Sequence, residues 1–187
     1  MGGHMQSRLM DLHEELKDKY IICSCEGKAE QAIIDLLLDA NALIFKRADL
    51  IGKKCTMIRS ASRIEEEYLH TAYNRPVVIL RILDREKEKF NLRPLYRKQY
   101  AVFSICTKPE IEILHIIHEG KWTEYKKQNK LKPSEYFQKL HGGELTKSEN
   151  FIKSYYESVD DLIAAIHEYH RISAYKDIYD LSNLLKE

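Results

Sequence analysis

The stretch 20-YIICSCEGKAEQAIIDLLL-38 decides the fold, read beside its companion 77-VVILRILDREKE-88. Each starts as a short apolar run and stops in acids. The first delivers Glu26; the second delivers Asp84 and Glu86, with Glu88 close behind. Short apolar runs rich in Ile and Val, bounded by turn signals, read as buried strands. Gly27 marks the turn after the first run, where backbone can come close to a ligand. Ala32, Ile33, Leu36, Leu37 and Ala40 then recur at helical spacing, which predicts a helix over Ala29 to Ala42. Strand, turn and helix make one half of a parallel βα unit. Acids at the carboxyl ends of such strands lie where open α/β sheets bind ligands.

Working outward, Gln6 to Lys19 predicts a short helix with Leu9, Met10, Leu12 and Leu16 on its apolar side. Ile44 and Phe45 could start a short strand, and Cys55 to Ile58 predicts another. Ser62 and Glu65 have the spacing of a capping box, so Ala61 to Tyr73 reads as a helix that Asn74 to Pro76 stops. Val77 to Leu83 is the second buried strand. Arg85 to Lys98 is polar and partly helical, and Tyr100 to Ile105 is a further strand. After Pro109 the pattern turns helical: Glu110 to His118, Glu124 to Gln128, Pro133 to Leu140, Lys147 to His170 and Asp177 to Leu185. The alternation predicts an α/β fold, a mostly parallel Rossmann-like sheet flanked by helices, with a helical C-terminal extension. It reads as one domain over residues 6–187, with a core at about 20–118 and the helical part at about 119–187.

Thirty basic residues against 29 acidic ones leave a net charge of +1, so only a local basic cluster could argue for nucleic acid. No apolar run approaches the ~20 residues that cross a bilayer, and no secretory signal is visible. MGGHM at 1–5 reads as a cloning remnant. Cys23, Cys25, Cys55 and Cys106 sit in or beside apolar runs and read as reduced core residues of a cytoplasmic protein.

The acids suggest a divalent cation. Magnesium is held by one or two carboxylates and keeps several waters. Glu26 from one strand end, with Asp84 and Glu86 from another, would supply such a set. Asp84, Glu86 and Glu88 share one face of an extended chain. Like charges meeting there repel unless a cation joins them. The alternative is a set of solvated turn acids, since DREKEK alone is a mixed-charge surface run. Lys28, beside the turn, could meet a phosphate oxygen.

CEGKAEQ after a strand resembles the first motif of the Toprim fold, and ILDREKE resembles its second, an acid-x-acid pair. TKPEIEILHIIHEG and KDIYDLSNLL resemble segments of the RloB/AbiL-type (abortive infection) proteins. The resemblance runs from about Tyr20 to Leu185. It implies a Toprim-like core, dependence on Mg2+ or Mn2+, phosphodiester chemistry and a role in phage defence. By position, Glu26 corresponds to the catalytic or metal-linked glutamate, Asp84 and Glu86 to the metal pair, and Glu112 to a later family glutamate. The pair here is Asp-x-Glu where Asp-x-Asp is usual. Ile111 replaces the aromatic before Glu112, and Lys108 replaces an Asn near Pro109.

Basic residues gather at Arg81, Arg85, Lys87, Lys89, Arg93, Arg97 and Lys98, with Phe90, Tyr96 and Tyr100 interleaved, a mixture that can bind nucleic acid or merely be solvated. Arg85, Lys87 and Lys108 are the candidate contacts to DNA or RNA. Lys126, Lys127, Lys130 and Lys132 read as ordinary solvated charge. His115/His118 and His167/His170 have a spacing that could offer zinc ligands, but no cysteine pair accompanies them, and half-buried histidines on amphipathic helices account for them as well. Two functions stay open: a metal-dependent nuclease, or a Toprim-like binding or sensing module without catalysis. The helical tail could in addition dock a partner protein or a second copy.

Overall fold

The computed structural model describes residues 10–84, 88–128, 130–142, 148–175 and 177–186. Three strands form its sheet: β1 Tyr20–Cys25, β2 Val77–Leu83 and β3 Ala101–Cys106. They lie in the order β1-β2-β3, parallel throughout, with Cys23 opposite Leu80 and Leu80 opposite Phe103. Every residue of β2 is buried, as a central strand covered on both faces demands.

The pleat sends alternate side chains into two cores. Ile21, Cys23, Cys25, Val78, Leu80, Ile82, Phe103 and Ile105 face the larger one. It is closed by α1 (Leu12–Leu16), α2 (Lys28–Asp39), α5 (Ile113–His118), α8 (Glu149–Tyr155) and α9 (Val159–Ile172). Ile22, Val77 and Ile79 face the smaller one, filled by Ile64, Leu69, Leu92 and Tyr96. Those come from α3 (Ala61–Ile64), the π turn Glu65–Leu69 that continues it, and the segment ending in α4 (Pro94–Arg97). The remaining helices are α6 (Trp122–Lys126) and α7 (Pro133–Leu140). The result is a mixed α/β fold with a parallel sheet between helical layers.

Several expected elements come out shorter. Thr56 makes only an isolated bridge to Ser24, and Leu43 one to Leu185, in place of strands at Cys55–Ile58 and Ile44–Phe45. The tight turns Arg47–Asp49 and Ile51–Lys53, with Gly52 at φ 71°, lie between these two segments and leave little extended chain for a ladder. The long helix expected over Lys147 to His170 is two. Ser158 breaks it by accepting from the Asp161 N–H while Asp161 accepts from the Ser158 N–H, a full capping box that starts α9 anew. The last helix is a single 3-10 turn, Leu181–Leu184, with Asp180 capping it.

The tail is not a free arm. Leu162, Ala165, Ile166 and Tyr169 of α9 are buried in the main core, so the face expected to dock a partner is used within the chain. All four cysteines are buried and unbridged. No described helix is long and apolar enough to cross a membrane. Leu80, fully buried at the centre of the middle strand, reports on the whole core. Leu80→Ala should cost about 2–5 kcal/mol in denaturant unfolding, because the sheet between two helical layers cannot close over the void; a loss below about 1 kcal/mol would contradict that packing.

Candidate functional site

The ladder between strands continues one residue past their ends. Glu26 N–H donates to Ile82 O at 3.0 Å, and Thr107 N–H to Leu83 O at 3.0 Å. Glu26 and Asp84 therefore reach the same rim of the sheet. One Glu26 carboxylate oxygen accepts the Asp84 backbone N–H at 3.0 Å. Asp84 Oδ1 accepts the Ile111 N–H at 3.2 Å, from the segment that opens α5. The two acids, 58 residues apart, stand together as the strand reading expects.

Two further carboxylates join them. Glu30, on the first turn of α2 and 4 % exposed, shares a hydrogen bond with the Asp84 carboxyl. Glu112, the N-cap of α5 and also buried, adds its charge to Asp84. Burial, then repulsion from Glu30, Glu26 and Glu112, pushes Asp84 up to about 8. Burial likewise raises Glu30. Without a cation, this crowding favours the protonated form of Asp84. Gly27 makes room for this: a Cβ there would lie 3.0 Å from Glu30 Oε2.

Sequence reasoning overlooked Glu30, though a signal existed. Residues 30, 33, 34 and 37 form one apolar stripe of α2, all buried, and an acid in that stripe must find polar company.

Glu88 does not face the other acids as a ligand. Its Oε1 accepts from Arg59 Nη2 at 2.7 Å and Nε at 3.1 Å, and its Oε2 from Arg81 Nη2 at 2.5 Å. Arg59 also reaches Glu26 Oε1 at 3.1 Å. The chain Arg81–Glu88–Arg59–Glu26 thus runs along the rim. Arg81 is 2 % exposed, stacked 4.3 Å from the Phe90 ring centre, so it is no surface contact of a basic patch. A buried guanidinium needs a carboxylate or an anion in that place.

Lys28 is exposed at the start of α2. The Lys108 N–H donates to the Tyr169 hydroxyl at 2.8 Å, and its ammonium lies over the Tyr175 ring. Arg85, Glu86 and Lys87 lie outside the described residues. Neither histidine pair converges on the acids. His115 is fully buried against Phe137, Tyr155 and Tyr156, with Nδ1 2.6 Å from the Tyr156 hydroxyl, and burial pushes it down to about 3. His118 packs on the same two tyrosines, and His170 pairs with Asp180 at 2.8 Å.

A cleft of about 320 Å3 opens beside Asp84, walled by Pro109, Glu110, Tyr125, Lys130 and Lys132. Two lysines that read as plain surface charge therefore flank the acids. A second ligand set lies behind β1. Cys23, Cys25 and Cys55 bring their sulfurs within 4.8 Å of one another. Hydrogen bonds from the Cys23 and Cys25 thiols hold Cys55 down to about 5. Among the described residues this is the one such tight trio; the carboxylates stand more openly. The chain matches no family model, no curated protein and no solved structure.

The acids make a stability prediction for metal-free protein. Asp84 rises from 3.8 to about 8 on folding, so its contribution is whole below about pH 4 and lost as pH climbs through 8. His115 runs the other way, losing stability as pH falls below its ordinary 6.5. The difference between Asp84→Asn and the parent isolates the acid. In chelator the variant should gain ~1–2 kcal/mol on the parent between pH 4 and 8, after discounting for solvent screening. Parallel pH curves for the two proteins would refute the crowding of these carboxyls.

Proposed function

We propose that the chain is a Toprim-like, RloB/AbiL-type nuclease that cleaves phosphodiesters in nucleic acid with Mg2+ or Mn2+, serving phage defence in the cytoplasm. The observation that carries this reading is the meeting of Glu26, Glu30 and Asp84, with Glu112 behind them, at the carboxyl ends of adjacent parallel strands. Four acids in one partly buried place need protons or a cation to coexist.

The donor set suits the proposed ion. Carboxylate oxygens are hard ligands, matched to magnesium and manganese, and an open set leaves room for the waters magnesium retains. Asp84 and Glu26, with Glu30 beside them, would hold it, and Glu86 would add to the set from the adjoining segment. Bound there, the ion would supply Lewis-acid polarisation of a phosphate oxygen.

The chain's own groups divide the remaining work. Glu26 would ligate the cation or take a proton from the attacking water; its two oxygens now meet the Asp84 N–H and Arg59. Arg59 and Arg81 hold an anion already, the Glu88 carboxylate. A substrate phosphate exchanging with Glu88 would meet both guanidinium forks. Lys130 and Lys132 along the cleft, with Lys28, Arg85, Lys87 and Lys108, would follow the backbone charge.

The Asp84–Glu30 hydrogen bond favours a second reading. One shared proton satisfies that pair with no ion present, and the protein would then bind nucleic acid or sense a ligand without cutting it.

A cleavage assay over single- and double-stranded RNA and DNA separates the two. With magnesium or manganese the parent should cut at least one of them. Glu26→Gln and Asp84→Asn should each lower the rate by 100-fold or more. Arg59→Ala should weaken binding about tenfold, near 1.4 kcal/mol. Cleavage undiminished in both acid variants contradicts the enzyme; binding without cleavage under any divalent ion selects the second reading.

A further inference from the structure

The thiol trio behind β1 takes no part in the acid chemistry, and its construction points to a ligand of a different kind. Cys23 and Cys25 are two apart on one strand, so their side chains leave the same face. Cys55 is brought alongside by the backbone: Thr56 N–H donates to Cys23 O at 2.8 Å, and Cys25 N–H to Thr56 O at 2.9 Å. Three sulfurs from two separate segments thus close on one point, all within 4.8 Å of each other. Sulfurs around a shared ion at a ~2.3 Å metal–sulfur bond, in a plane, stand about 4 Å apart. A core that wanted only volume would be served by Val or Ala at these positions.

The coordination number narrows the ion. Among the described residues no histidine, carboxylate or further cysteine joins the trio. The three residues are 1 %, 0 % and 4 % exposed, which leaves no open face for a fourth, water ligand. Zinc closes a tetrahedron, and iron–sulfur clusters want four protein ligands. Soft thiolates with no fourth donor favour Cu(I). Arg47 acts on Cys55 from nearby, but Asp35, which holds it at 2.8 Å, acts the other way and more strongly, so the surroundings favour an ion of low charge only through the three sulfurs themselves.

We propose that Cys23, Cys25 and Cys55 form a closed, three-sulfur site for a soft monovalent cation, Cu(I). The thiol protons pass to solvent as the ion enters. The ion cross-links β1 to the segment around Cys55, directly behind the strand end that carries Glu26. The site is independent of the nuclease reading, because its ligands are buried thiols with no part in the phosphate chemistry and they respond to a different metal.

The test is an anaerobic titration of the reduced full-length protein with Cu(I) in competition with a coloured Cu(I) chelator. One copper per chain should be retained, with sulfur-to-copper absorption in the ultraviolet and three sulfur neighbours in X-ray absorption. Cys55→Ser and Cys23→Ser should lower the affinity at least 100-fold, while Cys106→Ser should leave it unchanged. Should a serine variant fail to fold, the stoichiometry and sulfur count of the parent decide alone. No uptake by the parent would make the trio ordinary core thiols. Preferred uptake of zinc with a fourth ligand, or equal loss in Cys106→Ser, would also overturn the assignment.

Discussion

Everything at the rim follows from the backbone register of β1 on β2. Cys25 lies opposite Ile82, and the ladder gains one more rung when Glu26 N–H donates to Ile82 O. That rung fixes where Glu26 ends its strand relative to Asp84, and the Asp84 N–H then donates to the Glu26 carboxylate. A one-residue slip would turn Glu26 toward the opposite face and send Cys23 and Cys25 out of the main core. Apolar burial on two faces forbids such a slip, so the same force that packs the sheet positions the acids.

The cost of gathering acids is met locally. Asp84 favours its protonated form, Glu26 pairs with the Arg59 guanidinium, and Glu88 bridges both arginines. Arg81 shows how tightly this is coupled to the fold. Its side chain lies on the smaller-core face of the central strand, opposite Ser24 and Ser104 in register, where apolar residues precede it at Val77 and Ile79. A charge there survives only because Glu88 and the Phe90 face close over it. Removing Glu88 therefore leaves the buried Arg81 charge unpaired and disturbs the packing beneath it.

How much of this was legible depends on range. The two strands, α2 and α7 followed from local periodicity, and α7 ran over Pro133–Leu140 as read. The meeting of Glu26 and Asp84 followed from one inference about parallel strands. Glu30 needed more, the recognition that an acid had taken an apolar position in a helix. Arg59 and Glu88 are 29 residues apart, and no periodicity relates them. The break at Ser158 was missed because apolar spacing continues across it; the capping signal, Ser158 with Asp161, carried the information that hydropathy did not. His115 is the core histidine its apolar neighbours suggested, but the aromatic cluster around it is set by contacts from α7 and α8, which no local pattern announces.

β1 finally explains why two unlike ligand sets can sit so near each other without competing. Its Glu26 end is partly solvated and offers hard oxygens, which hold ions that keep their water. Its inner face offers sulfur with no water at all. A hydrated cation entering the thiol trio would have to shed its whole shell for soft donors it does not favour. A soft cation at the rim would find only carboxylates. Burial and donor softness would thus sort ions along a few residues of one strand, with Cys25 and Glu26 as the boundary.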